Sequence, residues 1–318
     1  MSTAPVTRRR FVAGCAAAAL TAPAASAPEP ERKPRKYKYI DMHTHLGAFW
    51  WDKEVTPDIL VRWMDQHDVE KAVILPLVSP EAGTYPLTSE SALAAAKKFP
   101  DRLIAFCCLD PRTNYPRGYN PGIKGVTEVL KRYKDAGARG FGEHKVGLDF
   151  DHPLMMTVYE ACDALELPIL FHLDDVRGID TPGLPRLERV LKAFPKLPLI
   201  GHAAGFWASI SGDATFADFG RYRAGPTTPG GALDRLMAQY PNLYGDLSEP
   251  GGYNAIHRDL AFGREFLIRR ADQLVFGSDY LMPGQDIPHF ALYDRLDLPD
   301  DVQRKVFRGN ATKLLKLA

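Results

Sequence analysis

Eight short apolar runs recur along this chain, most of them followed by turn residues and then by a segment with helical spacing, and that alternation constrains the fold more than any other feature. The runs are KYIDMHTH, KAVILPLV, LIAFCCLD, ARGFGEHKVG, PILFHLD, PLIGHAA, NLYGDLS and QLVFGSDY. Between them, TPDILVRWMDQHDVE, SESALAAAKKF, VTEVLKRYKDAG, MMTVYEACDALE, PRLERVLKAF and LAFGREFLIRRA repeat their apolar residues near a 3.6-residue period. Strands alternating with helices form parallel sheets. Eight such units within 318 residues predict an α/β fold, the (β/α)8 TIM barrel. A doubly wound open sheet is the alternative, but it would normally carry a Gly-rich phosphate loop after its first strand, and the sequence has none. The longest irregular stretch, GFWASISGDATFADFGRYRAGPTTPGG after the sixth run, is expected to form a loop over the barrel mouth.

Parallel barrel strands are usually continuous apolar runs, so polar residues within them need a reason. Here they collect at the strand C-terminal ends: His43 and His45 on the first run, Glu143 on the fourth, His172 on the fifth, His202 on the sixth and Asp279 on the eighth. That is the face on which barrel enzymes build active sites. A single histidine there is more often a satisfied turn or core residue, but six polar residues on one face weaken that reading. His43 and His45, two apart on a strand, point to the same side. Imidazoles suit zinc, iron, nickel or copper, and His172 and Asp279 would complete a set of three nitrogens and one oxygen. A carboxylate buried at a strand end stays charged only if paired or metal-bound.

DMHTH, FHLD, IGHAAG and FGSDY, with the closing RGNATKLLKL, resemble the amidohydrolase superfamily, in particular the amidohydrolase-related branch that includes aminocarboxymuconate semialdehyde decarboxylase. The resemblance runs from about residue 38 to the end. It implies a distorted (β/α)8 barrel with one or two divalent metals, zinc first among them. His43, His45, His172 and Asp279 would hold the principal metal. Asp279 would also take the proton of the metal-bound water, and His202 would act as catalytic acid or base or bind a second metal. RGFGEHKVGLD departs from the mononuclear decarboxylase pattern and is similar in outline to the GEIGLD segment of TatD-like metal-dependent deoxyribonucleases. That likeness implies Glu143 as a bridge between two metals, with both His172 and His202 on the second. A Glu143–Lys145 ion pair supporting the barrel wall is the simpler reading, and a carboxylated Lys145 bridge is a third.

The N-terminal residues have a different character. Thr7-Arg8-Arg9-Arg10-Phe11-Val12 followed by an alanine-rich segment ending in small residues reads as a twin-arginine leader, residues 1–27, with a linker over 28–36 and the barrel over 37–318. The mature protein would then be periplasmic or otherwise extracytoplasmic, without a transmembrane span. Removing the leader lowers Lys+Arg from 40 to 37 against 39 acids, so nothing basic suggests nucleic acid. Cys107, Cys108 and Cys162 lack the spacing of a disulfide framework or zinc knuckle and are expected to be packed in the core. Trp50, Trp51, Arg177, Phe206, Trp207 and Tyr280 fall in loops on the site face, where an arginine could pair with a substrate carboxylate and aromatics could stack on a planar substrate.

The expected activity is hydrolysis of a carboxylic ester, lactone or amide by metal-activated water. Non-oxidative decarboxylation of an aromatic or unsaturated acid is the enzymatic alternative, and a non-catalytic exported binding barrel is the alternative from another class. The expected partner is a small molecule, with a homo-oligomer an open option.

Overall fold

The computed structural model describes residues 36–50, 52–83, 87–113 and 122–317. The leader, nearly all of the linker, Trp51 and the side chain of Trp50 lie outside the described residues. Each of the eight runs contains a strand: β1 (Tyr39–Thr44), β4 (Val69–Ile74), β5 (Leu103–Ala105), β6 (Phe141–His144), β7 (Ile169–His172), β8 (Leu199–His202), β9 (Leu243–Asp246) and β10 (Leu274–Val275). The hairpin of β2 (Gly47–Trp50) and β3 (Lys53–Val55), antiparallel, was not expected. It rises from the site end of β1 without a two-residue Gly turn to announce it.

The strands pair in parallel as β1-β4-β5 and as β6-β7-β8-β9-β10. Backbone hydrogen bonds join the two sheets on both sides. Cys107 N donates to Gly140 O at 2.9 Å and Gly142 N to Cys107 O at 2.8 Å. On the other side Met42 N donates to Phe276 O at 2.9 Å, Asp279 N to His43 O at 2.9 Å and His45 N to Tyr280 O at 3.0 Å. Eight strands thus close into the barrel, and among the described residues no helix is long and apolar enough to cross a membrane.

The apolar residues separate into two clusters. Ile40, Met42, Val73, Leu75, Ile104, Phe106, Leu170, Ile200, Tyr244 and Val275 fill the barrel, with Ala311, Leu314 and Leu315 of the last helical turns packed against them. The larger cluster lies between strands and helices and takes in Cys107, Cys108 and Cys162, all three buried free thiols. Strand periodicity then determines what stands above the filled layer. Leu170 is followed two residues on by His172, Ile200 by His202 and Tyr244 by Asp246, each on the inward face at the C-terminal end of its strand. In β1, Ile40 and Met42 already point inward, and a register irregularity between Asp41 and Thr44 turns His43 inward as well. At β6 the approach of the next strand is close: a Cβ on Gly142, whose φ is +140°, would lie 2.3 Å from Leu170 O. Only glycine tolerates that position, immediately before Glu143.

His144 points away from Glu143, toward the apolar layer under the helix Pro153–Ala164, with its ring 5.1 Å from Phe141 and 6.0 Å from Tyr159. It is fully buried, and neither ring nitrogen has a hydrogen-bond partner among the described residues. Burial pushes its pKa down to about 4, so it is neutral in the folded protein. Because the unfolded chain takes up the proton near pH 6.5 and the folded chain does not, stability present above that pH is lost as pH falls toward 4. Replacing it with leucine is expected to reduce the loss of unfolding free energy between pH 7 and pH 4.5 by about 2–3 kcal/mol, measured by urea titration at both pH values.

Candidate metal centre

Four histidines and three carboxylates converge above the filled barrel layer. His43 Nδ1 lies 2.6 Å from Asp246 Oδ2, and His45 Nδ1 lies 2.9 Å from Leu75 O. A carbonyl or carboxylate oxygen only accepts, so both histidines donate from Nδ1 and turn an unprotonated Nε2 inward when neutral. Those two Nε2 atoms are 3.1 Å apart. Two lone pairs this close repel unless a cation or a proton lies between them. Asp279 Oδ1 joins them at 3.4 Å from His43 Nε2 and 3.3 Å from His45 Nε2. Glu143 Oε2 sits 3.5 Å from His45 Nε2 and 3.8 Å from His43 Nε2, and is buried with no hydrogen-bond partner among the described residues. A buried ionised oxygen without a partner is costly, and a metal ion is the kind of partner that relieves it.

Two donor groups of ligand-like spacing share His43: His43 with His45 and Asp279, and His43 with Glu143 and His202. These residues fit one divalent ion or a bridged pair. The field agrees with that fit: among the described residues, of the three buried carboxylates Glu143, Asp246 and Asp279, Glu143 alone pairs with a lysine, Lys145, 3.5 Å from its Oε1. The expected Glu143–Lys145 pair is therefore present, but it engages only one carboxylate oxygen. Burial works against charge on His43, yet the Asp279 and Asp246 carboxylates outweigh it and hold its pKa well above the usual imidazole value. Burial likewise works to raise the pKa of Glu143 and Asp279. Lys145 and His172 around the first, and His43 and His45 around the second, outweigh it and keep both carboxyls below their ordinary range.

His172 is placed differently from the expected principal ligand. Its Nδ1 lies 2.7 Å from Glu143 Oε1 and its Nε2 2.8 Å from Asp174 Oδ2, so both nitrogens are occupied by carboxylates, and it belongs to neither donor group. Asp174 pairs in turn with Arg177 at 2.5 Å. This chain of charges supports Glu143 from the side of β7, and it leaves the Arg177 head engaged with protein. Phe206 and Trp207 are buried, and Trp207 Nε1 donates to Asp246 O at 2.9 Å, which makes it a brace for the strand that carries Asp246. Tyr280 is buried and stacked on Trp63 with ring centroids 4.3 Å apart. Of the loop residues named from sequence, these three serve packing.

Three participants were absent from the sequence reading. Asp246 closes β9 as the histidines close β7 and β8, and the same polar-end rule would have found it. Ser248 Oγ donates to Asp246 Oδ2 at 2.7 Å and lies 2.9 Å from His202 Nδ1. Asp174 sits two residues past β7 and reads as an ordinary turn residue. The long segment after β8 does reach the site: the Tyr222 hydroxyl hydrogen-bonds Glu249, the residue after Ser248. Burial first, then Glu249 and Asp279, push the pKa of that phenol up. Asp279 itself has a left-handed backbone, φ 54°, held by its N–H bond to His43 O.

The family model described as Amidohydrolase matches residues 40–317. No curated protein sequence matches the chain. Among solved structures, an uncharacterised TIM-barrel protein from Bordetella bronchiseptica is similar at TM-score 0.63 and 17% identity, over 88% of this chain and 99% of that one. A proposed 2-pyrone-4,6-dicarboxylic acid hydrolase from Pseudomonas putida is similar at TM-score 0.57 and 17% identity, over 88% and 97% of the two chains. A dihydroxybenzoic acid decarboxylase from Polaromonas, solved with manganese and 2-nitroresorcinol, is similar at TM-score 0.53 and 17% identity, again over 88% and 97%. These likenesses establish the barrel fold.

Asp246 orients His43 through a 2.6 Å contact, and losing that charge should loosen whatever His43 holds. Asp246→Asn is expected to weaken divalent-metal binding by roughly 10- to 100-fold, read by competition with a chromophoric chelator; undiminished affinity would remove Asp246 from the centre.

Proposed function

The chain belongs to the amidohydrolase family, and from that premise we propose that it is a metal-dependent hydrolase of a carboxylic ester, lactone or amide. The observation that carries the reading is the convergence of His43 Nε2, His45 Nε2 and Asp279 Oδ1 within 3.4 Å of one another. His43, His45 and Asp279 would hold a divalent ion, zinc by the chemistry of the donor set, with Glu143 and His202 extending the set toward a second. Such an ion supplies a Lewis acid and a water of lowered pKa.

The remaining roles fall to the chain itself. Asp279, its carboxyl kept ionised by the surrounding histidines, would take the proton of the attacking water. Glu143, fixed through Oε1 by His172 and Lys145, directs Oε2 into the centre. Tyr222 hydrogen-bonds Glu249, the residue after Ser248. Decarboxylation of an aromatic or unsaturated acid is the second reading. It is favoured by one fact, that His43, His45 and Asp279 form a complete mononuclear group without Glu143. The additional buried carboxylate of Glu143 supports hydrolysis over it.

The test is turnover of the zinc-reconstituted full chain on a panel of esters, lactones and amides, run beside a panel of aromatic carboxylic acids monitored for carbon dioxide. Hydrolysis is expected, with kcat lowered roughly 10²- to 10⁴-fold in Asp279→Asn. Carbon dioxide release without hydrolysis would replace this reading with the second, and binding without turnover on either panel would favour a non-catalytic barrel.

A further inference from the structure

His202 was expected to act as a proton donor or acceptor, or to bind a second metal, and the hydrogen bonds behind it decide among these. Ser248, at the start of the helix Glu249–His257, is fully buried. Its Oγ lies 2.7 Å from Asp246 Oδ2, 2.9 Å from His202 Nδ1 and 3.2 Å from His43 Nδ1. Its own N–H donates to the other oxygen of the same carboxylate, Asp246 Oδ1, at 3.0 Å.

A hydroxyl has one proton and two lone pairs, and a carboxylate has only lone pairs. If the Ser248 proton pointed at His202, the serine oxygen would present a lone pair to Asp246 Oδ2 at 2.7 Å, two acceptors in contact within a dry interior. The proton therefore goes to Asp246. The 2.9 Å contact to His202 is then a hydrogen bond only if His202 supplies the proton from Nδ1.

We infer that Ser248 is a positioning residue that holds His202 as the Nδ1–H tautomer, with the Nε2 lone pair turned into the centre. Asp246 thereby governs two histidines, His43 directly at 2.6 Å and His202 through the serine hydroxyl, with its Oδ2 also 3.4 Å from His202 Nδ1. The consequence for chemistry is specific: neutral His202 offers Nε2 as a metal ligand or a proton acceptor and has no proton there to give a leaving group. His202 Nε2 faces Glu143 Oε1 at 3.7 Å, within the donor group it shares with His43 and Glu143. Only the metal-binding arm of the test rests on the metal-centre reading. The tautomer stands without it.

The experiment uses the full chain labelled with ¹⁵N in the imidazole rings, with long-range ¹H–¹⁵N correlation spectra recorded metal-free and after addition of zinc. The protein has nine histidines, and His202 is assigned by the signal lost in His202→Gln. In the metal-free wild type, neutral His202 is expected to carry its proton on Nδ1, and zinc is expected to move its Nε2 resonance. Ser248→Ala should show a mixture of tautomers and zinc affinity weakened about tenfold or more. A proton on Nε2 in the wild type overturns the inference, as does a Ser248→Ala protein that keeps both the Nδ1–H tautomer and full affinity. If Ser248→Ala fails to fold, the wild-type spectrum still decides. If zinc does not bind, the metal reading falls while the metal-free tautomer is still read.

Discussion

The organisation of this molecule depends on three carboxylates, Glu143, Asp246 and Asp279, held ionised in a nearly dry barrel mouth. Charge of one sign cannot be concentrated there without compensation. The protein supplies part of it: Lys145 on Glu143, His172 on the same oxygen, and Ser248 with His43 on Asp246. What remains is Glu143 Oε2, with no hydrogen-bond partner among the described residues, and two Nε2 atoms 3.1 Å apart. Together with Asp279 Oδ1 these make an electron-rich point suited to a divalent cation, and each neighbouring hydrogen bond serves to aim a donor at it.

The scaffold makes that aim rigid. Inward residues of the barrel form one apolar layer, and the polar set stands directly above it because side chains return to the same face every two residues. The histidines do not rely on flexible loops for their orientation. Leu75 O fixes His45 from a neighbouring strand, and Asp246, braced by Trp207, fixes His43 from the next strand but one. Asp279 is the exception in backbone conformation, a left-handed residue, but hydrogen bonds from its own N–H to His43 O and from His45 N to Tyr280 O tie its turn to β1. Precision at the centre is thus transmitted through strand pairing.

Much of this was legible in the sequence, for identifiable reasons. The eight strands and the helices between them follow from periodicity and turn residues, and the closing hydrogen bonds follow from having eight. His43, His45, Glu143, His202 and Asp279 stood out because each is a polar residue ending an apolar run, and the structure brings them together. Asp246 obeys the same rule in LYGD and could have been read. Ser248 and Asp174 could not, since a serine or aspartate two residues beyond a strand is the common currency of turns. His172 shows where strand-end logic stops: the position was legible, but its nitrogens are claimed by Glu143 and by Asp174, and competition between partners appears only in three dimensions. The β2–β3 hairpin was hidden for another reason, its GAFWWDKEV segment being short and lacking a hairpin turn pair.

The central claim, that His43 and His45 face a metal, is tested most directly by metal content per chain of the purified protein, measured by plasma mass spectrometry in the wild type, His45→Ala and Glu143→Gln. At least one divalent ion per wild-type chain is expected, lost in His45→Ala. One ion in the wild type, kept in Glu143→Gln, would make the site mononuclear, whereas two ions in the wild type with one lost in Glu143→Gln would identify Glu143 as a bridge. A folded wild-type protein that carries no metal even after reconstitution with zinc or manganese, or a His45→Ala variant with its metal undiminished, would contradict the account.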